Sequence, residues 1–409
     1  MTNDRTTLAA SPAPGWARHV LAIALLYFPV CGLAILPMGG GGRYLSVLVG
    51  PLSLLFLLIW FRRDWREVAA QAADFAAPFL PFLLACLLVA VVHPAATIGD
   101  PFSRVFWALF IFLAAARLPL SRAAVFSAAA VGASVYCLVA IRDVFFLGAV
   151  RAGNDVNEIV FAETAMLTGG LAIVGALTAK GASPALRILW SLLGGAGLFA
   201  VALSGSRGPL LATFLLGGLA IAHGWRQGHH KAIVAATLTL AVAVGAALLY
   251  APLADRIVLA GIETQDYFSA SSPTLTSIGI RLELWRITLE SLPQQPVFGY
   301  GYSTVGDLAT RLPALKFLPL ELLFGFQHFH ADWAHALMAG GLVLLIGLSA
   351  SIVLLARTAR HDLARLWLLG AMVVFGLTDL AFFRKPTLTL FIAAWTLLAA
   401  SSPRADHVT

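Results

Sequence analysis

Charge is what this sequence lacks most. Of its 409 residues only 11% are Asp, Glu, Lys or Arg while 60% are hydrophobic, and a soluble domain carries about 25% charged residues. A water-soluble globule is excluded. Cysteine is scarce too: Cys31, Cys86 and Cys137 all lie inside apolar runs, so neither a disulfide framework nor a paired-cysteine metal site is available. The 20 acidic residues are so sparse that no two stand at i, i+2, which removes a DxD-type metal clamp, and neither a Walker phosphate loop nor an HExxH motif occurs. ATP and Mg²⁺ have no evident site, and no cofactor is expected. Any anionic substrate must then be held by arginines and helix dipoles, where guanidinium forks match phosphate oxygens in pairs.

Apolar length is abundant. A bilayer core about 30 Å thick needs roughly 20 mostly apolar residues per spanning helix. Runs without Asp, Glu, Lys or Arg occupy residues 20–42, 44–61, 75–99, 123–141, 188–206, 208–225, 232–254, 333–356 and 386–403. Three weaker stretches lie at 102–118, at 157–179 around Glu163, and at 365–383 around Asp379; they qualify if arginines snorkel and acids face the bundle. The reading is an all-α polytopic membrane protein of about twelve spans. Gly39–Gly42 and Ser183-Pro184 suit tight turns. The first run begins near Arg18 and passes Met38 without a small-residue cleavage site, as an uncleaved anchor does.

The net charge of +7 comes from basic residues that punctuate the apolar runs, a topology signal rather than a nucleic-acid face. With a cytoplasmic N-terminus, fifteen of the 27 basic residues fall on inner segments and seven in short outer loops or at outer helix ends, so both termini are expected inside. Three parts follow: residues 1–252 with nine spans, an outer loop at 253–332, and residues 333–409 with three more spans and a cytoplasmic tail. The loop is too long to be a mere link. Within it, Ile278–Leu292 reads as an amphipathic helix with Leu282, Trp285, Leu289 and Leu292 on one face and Glu283, Arg286 and Glu290 on the other, ended by Pro293 and Pro296. Leu312–Phe326 suits either a segment at the lipid surface or a packed loop core.

Three constellations carry chemistry. In Ser204-Gly205-Ser206-Arg207-Gly208-Pro209, Pro209 suits a first helical position and Ser206 a cap. The helix amides and the Arg207 guanidinium would converge on an anion, better a phosphate than a carboxylate; the alternative is a capped helix whose arginine snorkels to headgroups. Arg281 borders the apolar face of the loop helix and needs a partner, either a ligand or an ion pair with Glu283 or Glu290. Arg142 and Arg151 flank the outer end of the fifth span and add positive potential to the same mouth. Last, His328, His330 and His335 crowd the entry to the tenth span. One of them can take a proton from a hydroxyl. A metal site of His328, His330, Asp332 and His335, and ordinary interfacial histidines, are the competing readings.

Taken in order, Ser204–Ala212, then Arg281-Leu282-Glu283-Leu284-Trp285 running to Pro296-Val297-Phe298-Gly299-Tyr300-Gly301, then His330-Ala331-Asp332-Trp333 before Gly340-Gly341, resemble the bacterial O-antigen ligase and O-antigen polymerase family over roughly the C-terminal half. Asn157 resembles a polar position of that family before its sixth helix. Where the family often reads His-Asn, this chain has His330-Ala331. The resemblance implies a GT-C-like membrane glycosyltransferase working at the periplasmic face of a Gram-negative inner membrane. Its donor would be undecaprenyl-pyrophosphate-linked O-antigen and its acceptor a sugar hydroxyl of the lipid A-core oligosaccharide, with no metal, nucleotide or nucleic acid involved. It implies His330 as general base of an inverting displacement. Arg207 and Arg281, with Ser206 and Gly208 at the helix end, would hold the pyrophosphate, and Arg142, Arg151, Asn157, His328 and His335 would complete the substrate site. A repeat-unit polymerase or a protein O-oligosaccharyltransferase would use the same donor. A transporter or lipid flippase would share the twelve spans but should bury polar groups in broken helices near mid-membrane; here they gather at one boundary.

Overall fold

An apolar chain in lipid must bond its own backbone, and helix is the regular structure that does so within one segment. The computed structural model describes residues 15–35, 49–60, 65–94, 99–118, 120–153, 157–228, 230–249, 251–269, 275–301, 305–309, 311–319 and 328–401, and among them all regular structure is helical. The expected Gly39–Gly42 turn lies outside the described residues, as do residues 154–156 before Asn157. In chain order the helices are α1 (Gly15–Ile35), α2 (Gly50–Trp60), α3 (Trp65–Ala76), α4 (Leu80–Val92), α5 (Gly99–Ala115), α6 (Arg122–Ile141), α7 (Glu158–Thr178) and α8 (Pro184–Ser204). They continue as α9 (Arg207–Arg226), α10 (His230–Leu249), α11 (Ala251–Ser269), α12 (Ser277–Ser291), α13 (Val305–Ala309), α14 (Asp332–Thr358), α15 (Leu363–Thr378) and α16 (Lys385–Ala400). A helix lies over each of the twelve apolar runs. Among the described residues, six stretches, Ala69–Val92, Arg122–Phe146, α7, α8, α9 and α14, are long and apolar enough to cross a membrane, and five further helices are apolar but shorter.

α7 is the axis of the bundle, buried along almost its whole length. Its Gly169 meets Gly194 of α8 so closely that a Cβ on either would sit 2.7 or 2.6 Å from the other's carbonyl oxygen. Small residues let two helix backbones touch, which is how helices associate where lipid supplies no hydrophobic drive. Glu163 on α7 is fully buried and accepts a hydrogen bond from Thr387 of α16 at 2.6 Å. The acid faces the bundle, as the sequence requires. Away from the cavity described below, Ser183 caps α8 by accepting from Leu186 N, and Arg187 closes the end of α7 through the carbonyls of Ala176, Ala179 and Ala182. Near the starts of α6 and α15, Asp362 bridges Arg122 and Arg365.

α14 is broken at Gly341, whose φ of 60° and ψ of −154° no helix contains. Segment 296–300 repairs the break: Leu342 and Val343 donate to the carbonyls of Pro296 and Val297, and Tyr300 N donates to Met338 O at 2.8 Å. A Cβ on Gly341 would lie 2.4 Å from Val297 O. Both the dihedrals and the space therefore demand glycine. Gly341→Val is expected to cost on the order of 3 kcal/mol or more and to collapse the thermal transition of the detergent-purified protein, whereas Gly245→Ala, in open space on α10, should leave it unchanged or raise it.

The long connection has its own small core of Ile280, Leu284, Ile287, Leu308, Leu312, Leu315, Leu318 and Phe329, continuous with Ala334 and Met338 of α14. The helix expected at 278–292 is α12, but it buries a different face. Ile280, Glu283, Leu284, Ile287 and Ser291 point inward, while Leu289 is 57% exposed. The physical cause is Glu283: only 2% exposed, it accepts from Arg286 and from Tyr267 of α11, so this one member of the charged stripe becomes an interhelical contact while Arg286 and Glu290 stay exposed. Leu312, Leu315 and Leu318 belong to this packed core rather than to a lipid-facing segment; residues 320–327 lie outside the described part.

Candidate functional site

Four chain ends meet at one point. They are the turn between α8 and α9, the first turns of α12, the segment 328–331 entering α14, and the exit of α15. Between them lies a cavity of about 420 Å³ lined by Arg151, Ser206, Arg207, Gly208, Arg281, Trp285, His330, Thr378 and Asp379, among others.

Local chemistry explains each placement. Gly205 ends α8 in the left-handed conformation at φ 62°, and α9 starts at Arg207. Ser206 holds the cap position, yet its hydroxyl does not cap: it donates to Glu158 O at 3.1 Å and accepts from Arg151 at 3.2 Å. Pro209 is therefore the third helical residue, not the first as its type suggested. Arg151 also donates to Ser204 O at 2.7 Å and pairs with Glu158 at 3.4 Å, which staples it onto the turn. Gly208 lets α9 begin against α15, because a Cβ there would meet Thr378 Oγ1 at 2.5 Å. On the other wall, Thr276 caps α12 by accepting from Gly279 N, and Trp285 lies edge-on to Trp333 with centroids 5.7 Å apart. Arg281, one turn earlier, thereby faces the cavity.

His330 is the one non-glycine residue with positive φ, 51°, among the described residues. Strain of that kind persists where surroundings over-determine it. Its Nδ1 lies 3.6 Å from Oδ1 of Asp379. Asp379 is in turn fixed, accepting from Leu380 N at 2.9 Å and from Arg384 at 3.0 Å. Behind it, the Asp332 carboxylate receives the backbone amides of Ala381 and Phe382, and Gly376 leaves the room, since a Cβ there would lie 2.3 Å from Asp332 Oδ2. One carboxylate clamps the turn and the other orients the imidazole.

The protonation states follow from burial and charge. Asp379 is ion-paired with the Arg384 guanidinium at 3.0 Å, the contact of an ionised carboxylate. Burial lowers His330, with Arg281 and Arg384 adding to it and Asp379 opposing it. Burial, His330 and Arg384 together push His328 down to about 2. At neutral pH this is a neutral imidazole beside an ionised carboxylate. With Nδ1–H turned to Asp379, Nε2 keeps the basic lone pair.

Six of the residues singled out from sequence, Arg151, Ser206, Arg207, Gly208, Arg281 and His330, line the cavity. Four do not. Arg142 is exposed and bonds Asp143 at 2.6 Å, and Asn157 caps α7 by accepting from Ile159 N and Val160 N. His328 stands one layer back with Arg384 2.6 Å from its Nε2, so that lone pair is engaged. His335 is buried against the Phe383 ring at 5.1 Å. Asp379, Thr378 and Arg384 escaped the sequence reading as site residues. An acid interrupting an apolar run, five residues before Arg384, was the available signal.

The metal set weighed from sequence does not assemble, because Asp332 is committed to backbone amides. Donor atoms of His328, His330 and Asp379 do lie within 4.8 Å of one another. Arg384, however, already contacts His328 Nε2 and Asp379 Oδ2, so a guanidinium balances the charge where a cation would be drawn. What the cavity offers is three guanidinium groups, a helix N-terminus and a neutral base backed by a carboxylate. Chemically, that combination suits a multiply charged oxyanion and a group that gives up a proton.

Residues 192–349 match the family model described as O-antigen ligase. The match takes in Arg207, Arg281 and His330 and leaves Arg151, Asp379 and Arg384 outside it. No curated protein matches the chain.

Proposed function

We propose that the chain, whose residues 192–349 match the O-antigen ligase family model, transfers O-antigen polysaccharide from undecaprenyl pyrophosphate to a sugar hydroxyl of the lipid A-core. The observation that carries this reading is the single cavity shared by Arg151, Arg207, Arg281 and His330. The acceptor oxygen attacks the anomeric carbon, the bond from that carbon to the diphosphate oxygen breaks, and the hydroxyl proton passes to His330. Configuration inverts in the single displacement. Diphosphate is a good leaving group whose developing charge needs stabilisation more than a proton, which the arginines and the α9 terminus supply; the hydroxyl is the poor partner, and the imidazole serves it.

The arrangement belongs at the periplasmic face of a bacterial inner membrane, with both termini cytoplasmic and about twelve spans, the orientation that the basic residues favour. Two lipid-borne substrates meet there, one bringing the diphosphate and the other the hydroxyl. Reconstitution in liposomes with purified lipid-linked donor tests the reading. Transfer is expected when lipid A-core is added, with no product from donor alone. Chain elongation from donor alone would make the protein a polymerase instead, and transfer to protein Ser or Thr an oligosaccharyltransferase.

A further inference from the structure

Arg207 also reaches away from the cavity. Its NH1 meets Oε2 of Glu263 on α11 at 3.1 Å, with side-chain exposures of 24% and 16%. The same Oε2 accepts from Ile278 N at 3.3 Å, in the first turn of α12. One carboxylate thus links α9, α11 and α12 at the rim. Arg151 is different, because Ser204 O and Ser206 hold it whether or not Glu158 does. For Arg207, Glu263 is the one hydrogen-bonding side chain among the described residues, and the buried Nε makes no hydrogen bond among them. A guanidinium has five donors. One carboxylate oxygen leaves most of that capacity for another anion.

We propose that Glu263 is a built-in competitor for Arg207: it neutralises the guanidinium when no diphosphate is bound, yields to the donor's diphosphate, and returns to help expel the diphosphate product. This rests on the reading of Arg207 as a diphosphate ligand. A tethered carboxylate competes at an effective concentration near millimolar, enough to weaken a multiply charged ligand without excluding it. The charge, not the hydrogen bond to α12, does the competing.

Glu263→Gln separates the two, since its amide oxygen still accepts from Ile278 N while the charge is gone. Binding of inorganic pyrophosphate to the purified full chain, followed by calorimetry, should tighten about three- to tenfold in this variant, and the KM for lipid-linked donor should fall with no gain in kcat. In the Arg207→Ala background the same substitution should change nothing. Glu263→Asp, which withdraws the carboxylate by one methylene, should move affinity in the same direction by less. Unchanged or weaker pyrophosphate binding in both Glu263 variants would overturn the competition and make Glu263 a brace that holds Arg207 in place. Wild-type pyrophosphate binding by Arg207→Ala would instead overturn the diphosphate reading itself.

Discussion

His330→Asn is expected to lower transfer by about 10²- to 10⁴-fold while the protein stays folded in the membrane. Asparagine is the informative choice, because His330 sits at φ 51° and asparagine tolerates the left-handed region better than alanine does. Loss in the asparagine variant therefore reports the missing base and not a backbone that sprang out of place. His330→Ala should lose as much activity and some stability as well. His335→Ala removes a side chain outside the cavity, so a fall there should track stability measured by thermal unfolding. Should His330→Asn remain near wild type, the base would have to be another group.

The pH profile gives an independent check. Burial holds the His330 pKa below its ordinary 6.5, so the imidazole stays neutral as pH falls through the usual histidine range. kcat/KM should then be level from about pH 8 to 6.5 and decline only below it. Asp379 opposes that lowering. Asp379→Asn should thus move the acid limb further down while kcat falls, because a weaker and less well oriented base is titrated at lower pH.

The sequence carried the site unevenly, for physical reasons. Arg207, Arg281 and His330 were legible because cations and histidines at the borders of apolar runs are costly or reactive and therefore stand out. The partner of His330 was not, since Asp379 lies 49 residues away and nothing local announces that Asp332 will clamp the turn that carries it. The break in α14 was equally hidden. Gly299 and Gly340-Gly341 stand in the sequence as motif letters, but their meaning, a loop segment bonded into a split helix, depends on hydrogen bonds across about forty residues. The buried face of α12 is hidden for a related reason: periodicity assigns charge to solvent, and only tertiary structure brings Tyr267 of α11 onto Glu283.

Arg207→Ala and Arg281→Ala should each lower kcat/KM for donor by about 10²- to 10³-fold, the range seen when one preorganised donor to a developing oxyanion is removed. The double variant should lose less than the product of the two, because both guanidinium groups serve one diphosphate and the first deletion already releases it. Arg207→Lys should recover only part of the loss, as an ammonium keeps the charge but not the fork that pairs with two phosphate oxygens. Arg142→Ala is the matching control. That arginine is exposed, bonds Asp143 and does not line the cavity, so its removal should leave donor kinetics within about twofold of wild type. A loss at Arg142 equal to that at Arg207 would mean that donor affinity comes from diffuse surface charge, which salt screens within about 10 Å, and not from the enclosed cavity. Raising the ionic strength separates the two cases, because a desolvated guanidinium–phosphate contact should lose little affinity between 0.1 and 0.5 M salt while a surface field should lose most of it.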